Sequence, residues 1–160
     1  MVSTDPNTTP VSVADLMAKV GHFVFYWSAL EQALAFGIDE ANERLGNERT
    51  KIRGSTKERV ERWFDLALRL PENEGKRDVA ERVRDQVIQL VEVRNLIIHG
   101  LQAGEGRNLD GEASIRCAVG GYDAPTGNTV SYTINELDDF TSRIDACRRA
   151  LDRLDYFNLV

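Results

Sequence analysis

From Val13 to about Leu45 an apolar side chain returns every third or fourth residue: Leu16, Val20, Phe23, Trp27, Leu30, Leu34 and Ile38. At about 100° per residue these positions fall on one face of an α-helix, a spacing that a strand cannot satisfy. Ser12 and Asp15 stand in capping-box positions at its start, and Gly46 is placed to end it. Phe25, Tyr26 and Phe36 supplement the stripe and give it a wide aromatic face. A helical stripe of this length must be buried against other elements, so the chain is constrained to a helical architecture.

The rest of the sequence supplies those elements. Ser55 and Glu58 have capping-box spacing, and Val60, Trp63, Phe64, Ala67 and Leu70 then predict a helix of about four turns that Pro71 stops. A third helix is predicted from about Lys76 to His99, with Val83, Val87, Leu90, Val91, Ile97, Ile98 and Leu101 on one stripe. Residues 101–111 are glycine-rich and polar and read as a loop. Residues 113–119 and 129–134 alternate with period two around a turn region, which predicts an antiparallel two-stranded ribbon. Thr133 and Glu136 repeat the capping-box spacing. Leu137, Phe140, Ile144, Cys147, Leu151 and Leu154 carry a fourth helix to about Tyr156. The fold class expected is mainly all-α: an up-and-down four-helix bundle with a two-stranded β-ribbon, about 113–134, inserted before the last helix. It forms one domain over residues 13–160, behind a disordered lead over 1–12.

Composition narrows the functional classes. With 160 residues and 42% hydrophobic content the chain can bury one sizeable core. No apolar run reaches the roughly 20 residues of a membrane span. The polar, proline-containing start has no signal-peptide core, so the cytoplasm is the expected compartment. Cys117 and Cys147 form no metal-ligand pattern and read as reduced core residues. His22 and His99 are the only histidines, too few for a His-rich metal site, and no metal or cofactor is expected. His22 reads as a surface or core-edge residue. Net charge −6 argues against a broad platform for long nucleic acid, but leaves room for a local basic cleft assembled from two subunits.

The chemistry-bearing residues gather at the end of the third helix, in Val93-Arg94-Asn95-Leu96-Ile97-Ile98-His99-Gly100. Arg94 falls in the middle of the apolar stripe, where an unpaired guanidinium is costly. Asn95 and His99 lie four apart on another face. Gly100 is placed as a left-handed helix stop. Glu31, on the flank of the first helix stripe, reads equally as a solvent-edge carboxylate or as the partner of Arg94. Arg49, Lys51 and Arg53 make the loop after Gly46 basic, either as a solvated loop or as a phosphate-contacting one. Taken alone, a histidine at a helix C-terminus is more often a dipole-satisfying residue, and an arginine on an apolar stripe more often a structural ion pair. The two are also about 140° apart on an ideal wheel, which does not favour a shared pocket.

In its setting the motif resembles the HEPN superfamily. Members are short helical bundles that carry an Arg and, after four to six intervening residues, a His at the end of the third helix, often with a polar residue after the Arg. The match here is Arg94, Asn95 and His99. The stretch Trp27-Ser28-Ala29-Leu30-Glu31 of the first helix is also similar to many of these proteins. The resemblance covers most of residues 13–100 and 135–156; the ribbon departs from it. It implies a metal-independent endoribonuclease, usually a homodimer whose two Arg/His sets face each other in a cleft between subunits. Such proteins act as toxins, in phage defence and in RNA processing, and some relatives have lost the activity.

The residues suit that reaction. His99, with an ordinary imidazole pKa of about 6.5, could take the proton of a ribose 2′-hydroxyl. Arg94 cannot lose its proton and could hold two phosphoryl oxygens. Asn95 could orient His99 or donate to a phosphate oxygen. The products would be a 2′,3′-cyclic phosphate and a 5′-hydroxyl. The competing expectations are a non-catalytic module of the same fold that binds a nucleotide, an RNA or a protein partner such as an antitoxin, with Arg94 locked to Glu31, and a plain structural bundle with His99 buried.

Overall fold

The computed structural model describes residues 11–48, 51–102, 106–107, 111–120 and 127–157. Residues 1–10 of the expected lead lie outside that set, and Ser12 belongs to the first helix cap. Helix α1 (Val13–Arg44) opens on a capping box. Ser12 Oγ accepts the Asp15 N–H at 3.1 Å, and the Asp15 carboxylate accepts the Ser12 N–H at 2.9 Å. Its end is a Schellman turn: Gly46 has φ 67°, its N–H reaches the Glu43 carbonyl, and the Asn47 N–H reaches the Asn42 carbonyl at 2.9 Å. Helix α2 (Thr56–Ala67) carries the Ser55/Glu58 box. It ends about one turn before Pro71, because the residue ahead of a proline is pushed out of the helical region and Leu70 has ψ 131°. Helix α3 (Arg77–Gly100) follows a short 3-10 turn at Pro71–Asn73.

Three antiparallel strands come next. Strand β2 (Ala113–Ala118) pairs with β3 (Thr129–Thr133) in the register Ile115–Tyr132 and Cys117–Val130. A two-residue strand, β1 (Gly106–Arg107), adds to the other edge of β2 inside the segment read as a loop. Helix α4 (Ile134–Asp152) begins directly from β3 on the Thr133/Glu136 box. The fold is therefore mainly α, with four helices and a small sheet before the last.

The direction of each helix follows from its cross-links. Glu31 meets Thr56 and Gly37 meets Trp63, so α2 runs alongside the second half of α1 in the same sense. Lys19 pairs with Asp138 at 2.8 Å and Gly37 abuts Leu151, so α4 also follows α1. Lys57 pairs with Glu92 and Glu61 with Arg84, which sets α3 against them. Helix α2 thus starts back beside the middle of α1 instead of following it in an up-and-down hairpin, a path that the periodicity of each helix cannot reveal. Helices α1 and α3 lie diagonally, with α2 and α4 between them.

The core is built from the expected stripes: Leu16, Phe23, Trp27, Leu30, Leu34 and Ile38 from α1, Val83, Val87, Leu90 and Ile97 from α3, and Leu137, Ile144, Cys147 and Leu151 from α4, all buried. Both cysteines are buried free thiols. The aromatic supplement is a correction. Phe25 and Phe36 are 69% and 72% exposed, and Tyr26 is only half-buried. Phe25 and Phe36 sit on the side of α1 that faces away from the other helices, while Tyr26 packs at the edge of the core.

Candidate functional site

The last two turns of α3 keep Ile97 in the core but turn another face to solvent. Arg94 and Ile98 continue the stripe that Val87, Leu90 and Val91 bury, but Ile98 is 42% exposed and Arg94 half-buried. The sheet covers this end from one side only. Leu101 bridges to Cys117, and the Gln102 N–H reaches the Arg116 carbonyl at 2.8 Å. Gly100 is not the left-handed stop expected: it is the last residue of α3 and is absent from the positive-φ positions. Its lack of a side chain serves close approach. A Cβ there would overlap the Ala118 carbonyl oxygen and lie 3.0 Å from the Ala118 nitrogen. Glycine lets β2 lie directly on the helix end, which fixes the turn that carries His99.

The guanidinium of Arg94 curls back along this turn. Its Nη1 donates to Asn95 Oδ1 at 3.1 Å and stands 3.3 Å from His99 Nε2. The wheel separation is overcome by side-chain reach, since four rotatable bonds carry the arginine head across the one-turn gap. Arginine can only donate, so as a hydrogen bond this contact requires Nε2 to be the acceptor. The other guanidinium N–H groups have no protein acceptor among the described residues. Asn95 thus braces Arg94 rather than His99. Asn95 and His99 are exposed, so His99 is not the buried core residue of the plain structural reading.

Glu31 is half-buried and accepts a hydrogen bond from Thr56 Oγ1 at 2.8 Å. Among the described residues it joins α1 to the start of α2 rather than pairing with Arg94, so the guanidinium is not locked by it. Lys51 and Arg53 are exposed in the segment leading to α2, while Arg49 lies outside the described residues. The start of α2 adjoins α3 through Lys57 and Glu92, on the face that Glu92 shares with Asn95 and His99. This ion pair was not singled out by sequence; its members are far apart in the chain and carry no shared motif. His22 is exposed on α1.

Among the described residues no three His, Cys, Asp or Glu side chains gather into a set that could hold a metal ion. A cleft of about 60 Å³ between Gly37, Trp63, Asn73 and Leu151 lies at the opposite end of the bundle from His99. No described helix is long and apolar enough to cross a membrane. Compared with protein-family models, curated proteins and solved structures, the chain matches none of them.

Proposed function

We propose that the chain is a HEPN-like, metal-independent endoribonuclease, with Arg94 and His99 as its reacting pair and Asn95 as the brace of the guanidinium. The observation that carries this reading is the 3.3 Å approach of Arg94 Nη1 to His99 on an exposed helix end, with Asn95 Oδ1 accepting from the same Nη1. A phosphodiester laid across this turn meets the free N–H groups of Arg94. As the phosphate draws the guanidinium to itself, His99 Nε2 is released with its lone pair available. It takes the proton of the ribose 2′-hydroxyl, the 2′-oxygen attacks phosphorus, and the 5′-oxygen leaves with a proton. Arg94 stabilises the charge that develops on the phosphoryl oxygens. One chain supplies one His99, so the leaving-group proton comes from the His99 of a second copy. That division of labour favours a homodimer with facing sites, with Lys51 and Arg53 as flanking RNA contacts and Arg49 in the same loop.

Such an enzyme would work in the cytoplasm, as a toxin restrained by an antitoxin or as a phage-defence effector. Incubation of RNA with the purified protein in a chelator, beside His99→Ala, tests the reading. Cyclic-phosphate ends produced only by the unsubstituted protein support it; cleavage that survives in His99→Ala ends it.

The net charge of −6 favours a second reading. In that case the bundle is a non-catalytic module that binds a nucleotide, an RNA or a protein partner through the same helix end. A folded protein that binds RNA in an Arg94-dependent way and never cleaves it would support this reading.

A further inference from the structure

Helix α1 has a second apolar face, turned away from the bundle. Ala14, Ala18, Gly21, Phe25, Ser28 and Gln32 are all exposed, and they follow one another at spacings of four, three, four, three and four. Phe36 extends the row. This is the spacing of a helix–helix seam, and it runs about opposite the core stripe. Met17 and Val24, 39% and 40% exposed, line its edge. The seam from Ala14 to Phe36 is roughly 33 Å long and carries no charged side chain. A helix with apolar residues on both sides is built to be covered on both sides.

We infer that this face of α1 pairs with the same face of a second copy, antiparallel, about a two-fold axis near Phe25. Size complementarity selects the direction. With Phe25 opposite Phe25 of the second copy, Ala14 falls opposite Phe36, Ala18 opposite Gln32, and Gly21 opposite Ala29. Phe36 and Gln32 from the second half of the helix meet Ala14 and Ala18 from the first half, while Gly21 and Ala29 are both small, and Gly21 has nothing within 4 Å of where a Cβ would stand. Charge selects the same direction. The row continues past Phe36 into exposed Glu40 and Glu43. A parallel pair would set these carboxylates against each other; an antiparallel pair keeps the two sets at opposite ends of the seam. The contact is isologous, as a two-fold pair requires. It is separate from the proposed facing of two Arg94/His99 sites, because α1 lies diagonally across the bundle from α3.

The test is the mass of the assembly by light scattering at about 100 µM, where any micromolar Kd is saturated. The unsubstituted protein is expected to contain an even number of copies. Phe36→Glu and, separately, Phe25→Glu are expected to halve that number, two to one or four to two, with helical circular dichroism unchanged because both side chains lie outside the core. A mixture of Ala18→Cys and Gln32→Cys proteins, oxidised together, is expected to give mainly the mixed disulfide. A monomeric protein, a mass indifferent to both glutamates, or like-with-like disulfides of Ala18→Cys would overturn the inference.

Discussion

Arg94 Nη1 lies 3.3 Å from His99 Nε2 although the two residues are five positions apart on one helix. Two consequences can be measured separately, one for rate and one for stability. His99 is exposed, so His99→Ala should leave unfolding free energy within about 0.5 kcal/mol while eliminating metal-free RNA cleavage. Arg94→Lys keeps the charge but loses the planar fork, and should lower the cleavage rate by about a hundredfold or more. Single-turnover cleavage and urea unfolding of the same preparations check both.

Asn95 Oδ1 accepts from the same Arg94 Nη1 that approaches His99, so Asn95→Ala should act through Arg94. A hydrogen bond to a charged group is worth about 1.5–3 kcal/mol, which predicts a loss of roughly 10- to 150-fold in cleavage. Asn95→Asp is expected to be worse than Asn95→Ala, because a carboxylate beside Arg94 competes with phosphate. The order of the two variants in kcat/KM is the readout. A neutral effect from both would remove Asn95 from the site.

Gly100→Ala tests the close approach of β2. Alanine ordinarily gains about 1 kcal/mol over glycine inside a helix. Here the added methyl meets the Ala118 backbone, which cannot move aside as a flexible side chain would. Overpacking of about 1–3 kcal/mol should outweigh the gain. At about 2–4 °C per kcal/mol for a chain of this size, Tm should fall by several degrees. An unchanged or higher Tm would show that the sheet can lift off the helix without cost.

The helix caps should set the acid side of the stability profile. The Ser12 backbone N–H, then its hydroxyl, hold the Asp15 carboxyl below its ordinary 3.8. The Ser55 backbone N–H and hydroxyl likewise hold Glu58 below 4.5. A carboxylate whose pKa is lower in the folded chain than in the unfolded chain stabilises the fold at pH above the unfolded value. That stabilisation disappears as pH falls through the folded value. Tm should therefore drop as pH falls below about 4.5, and less steeply in Asp15→Asn and Glu58→Gln. A profile that both variants leave unchanged would assign acid sensitivity to other carboxylates, such as Glu72 beside Arg44.

The two thiols give a folding probe. Burial pushes Cys117 up to about 11 and Cys147 up to about 12, so neither forms thiolate near neutral pH. A thiol reagent should label neither cysteine in the native protein and both in denaturant.

What was legible in the sequence was local. The three capping boxes and the apolar stripes of α1, α3 and α4 each depend on residues within a few turns, and each formed where the spacing placed it apart from the exposed Ile98 at the end of the α3 stripe. The features that were not legible depend on what meets what across the chain. The stripe spacing placed Phe23 inside, but how wide a face of α1 is covered depends on the packing of α2 and α4, which leaves Phe25 and Phe36 exposed. The place of Gly100 depends on Ala118, whose approach no local pattern records. For the site, spacing identified Arg94, Asn95 and His99, but a helical wheel follows Cα directions and takes no account of the reach of an arginine. It therefore set apart two side chains that meet, and it left Glu31 open as a partner when Thr56 is the one it holds.

The pairing of α1 with α4 has a consequence for how the chain is made. Lys19 and Asp138 are 119 positions apart. At a synthesis rate of about 5–20 residues per second, α1 would emerge roughly 6–24 s before the helix that covers most of its inner stripe. Throughout that interval it is an amphipathic rod with apolar surface on two sides, and so a target for chaperones on the ribosome. The outer seam would let two nascent chains on neighbouring ribosomes shelter each other before either bundle has closed.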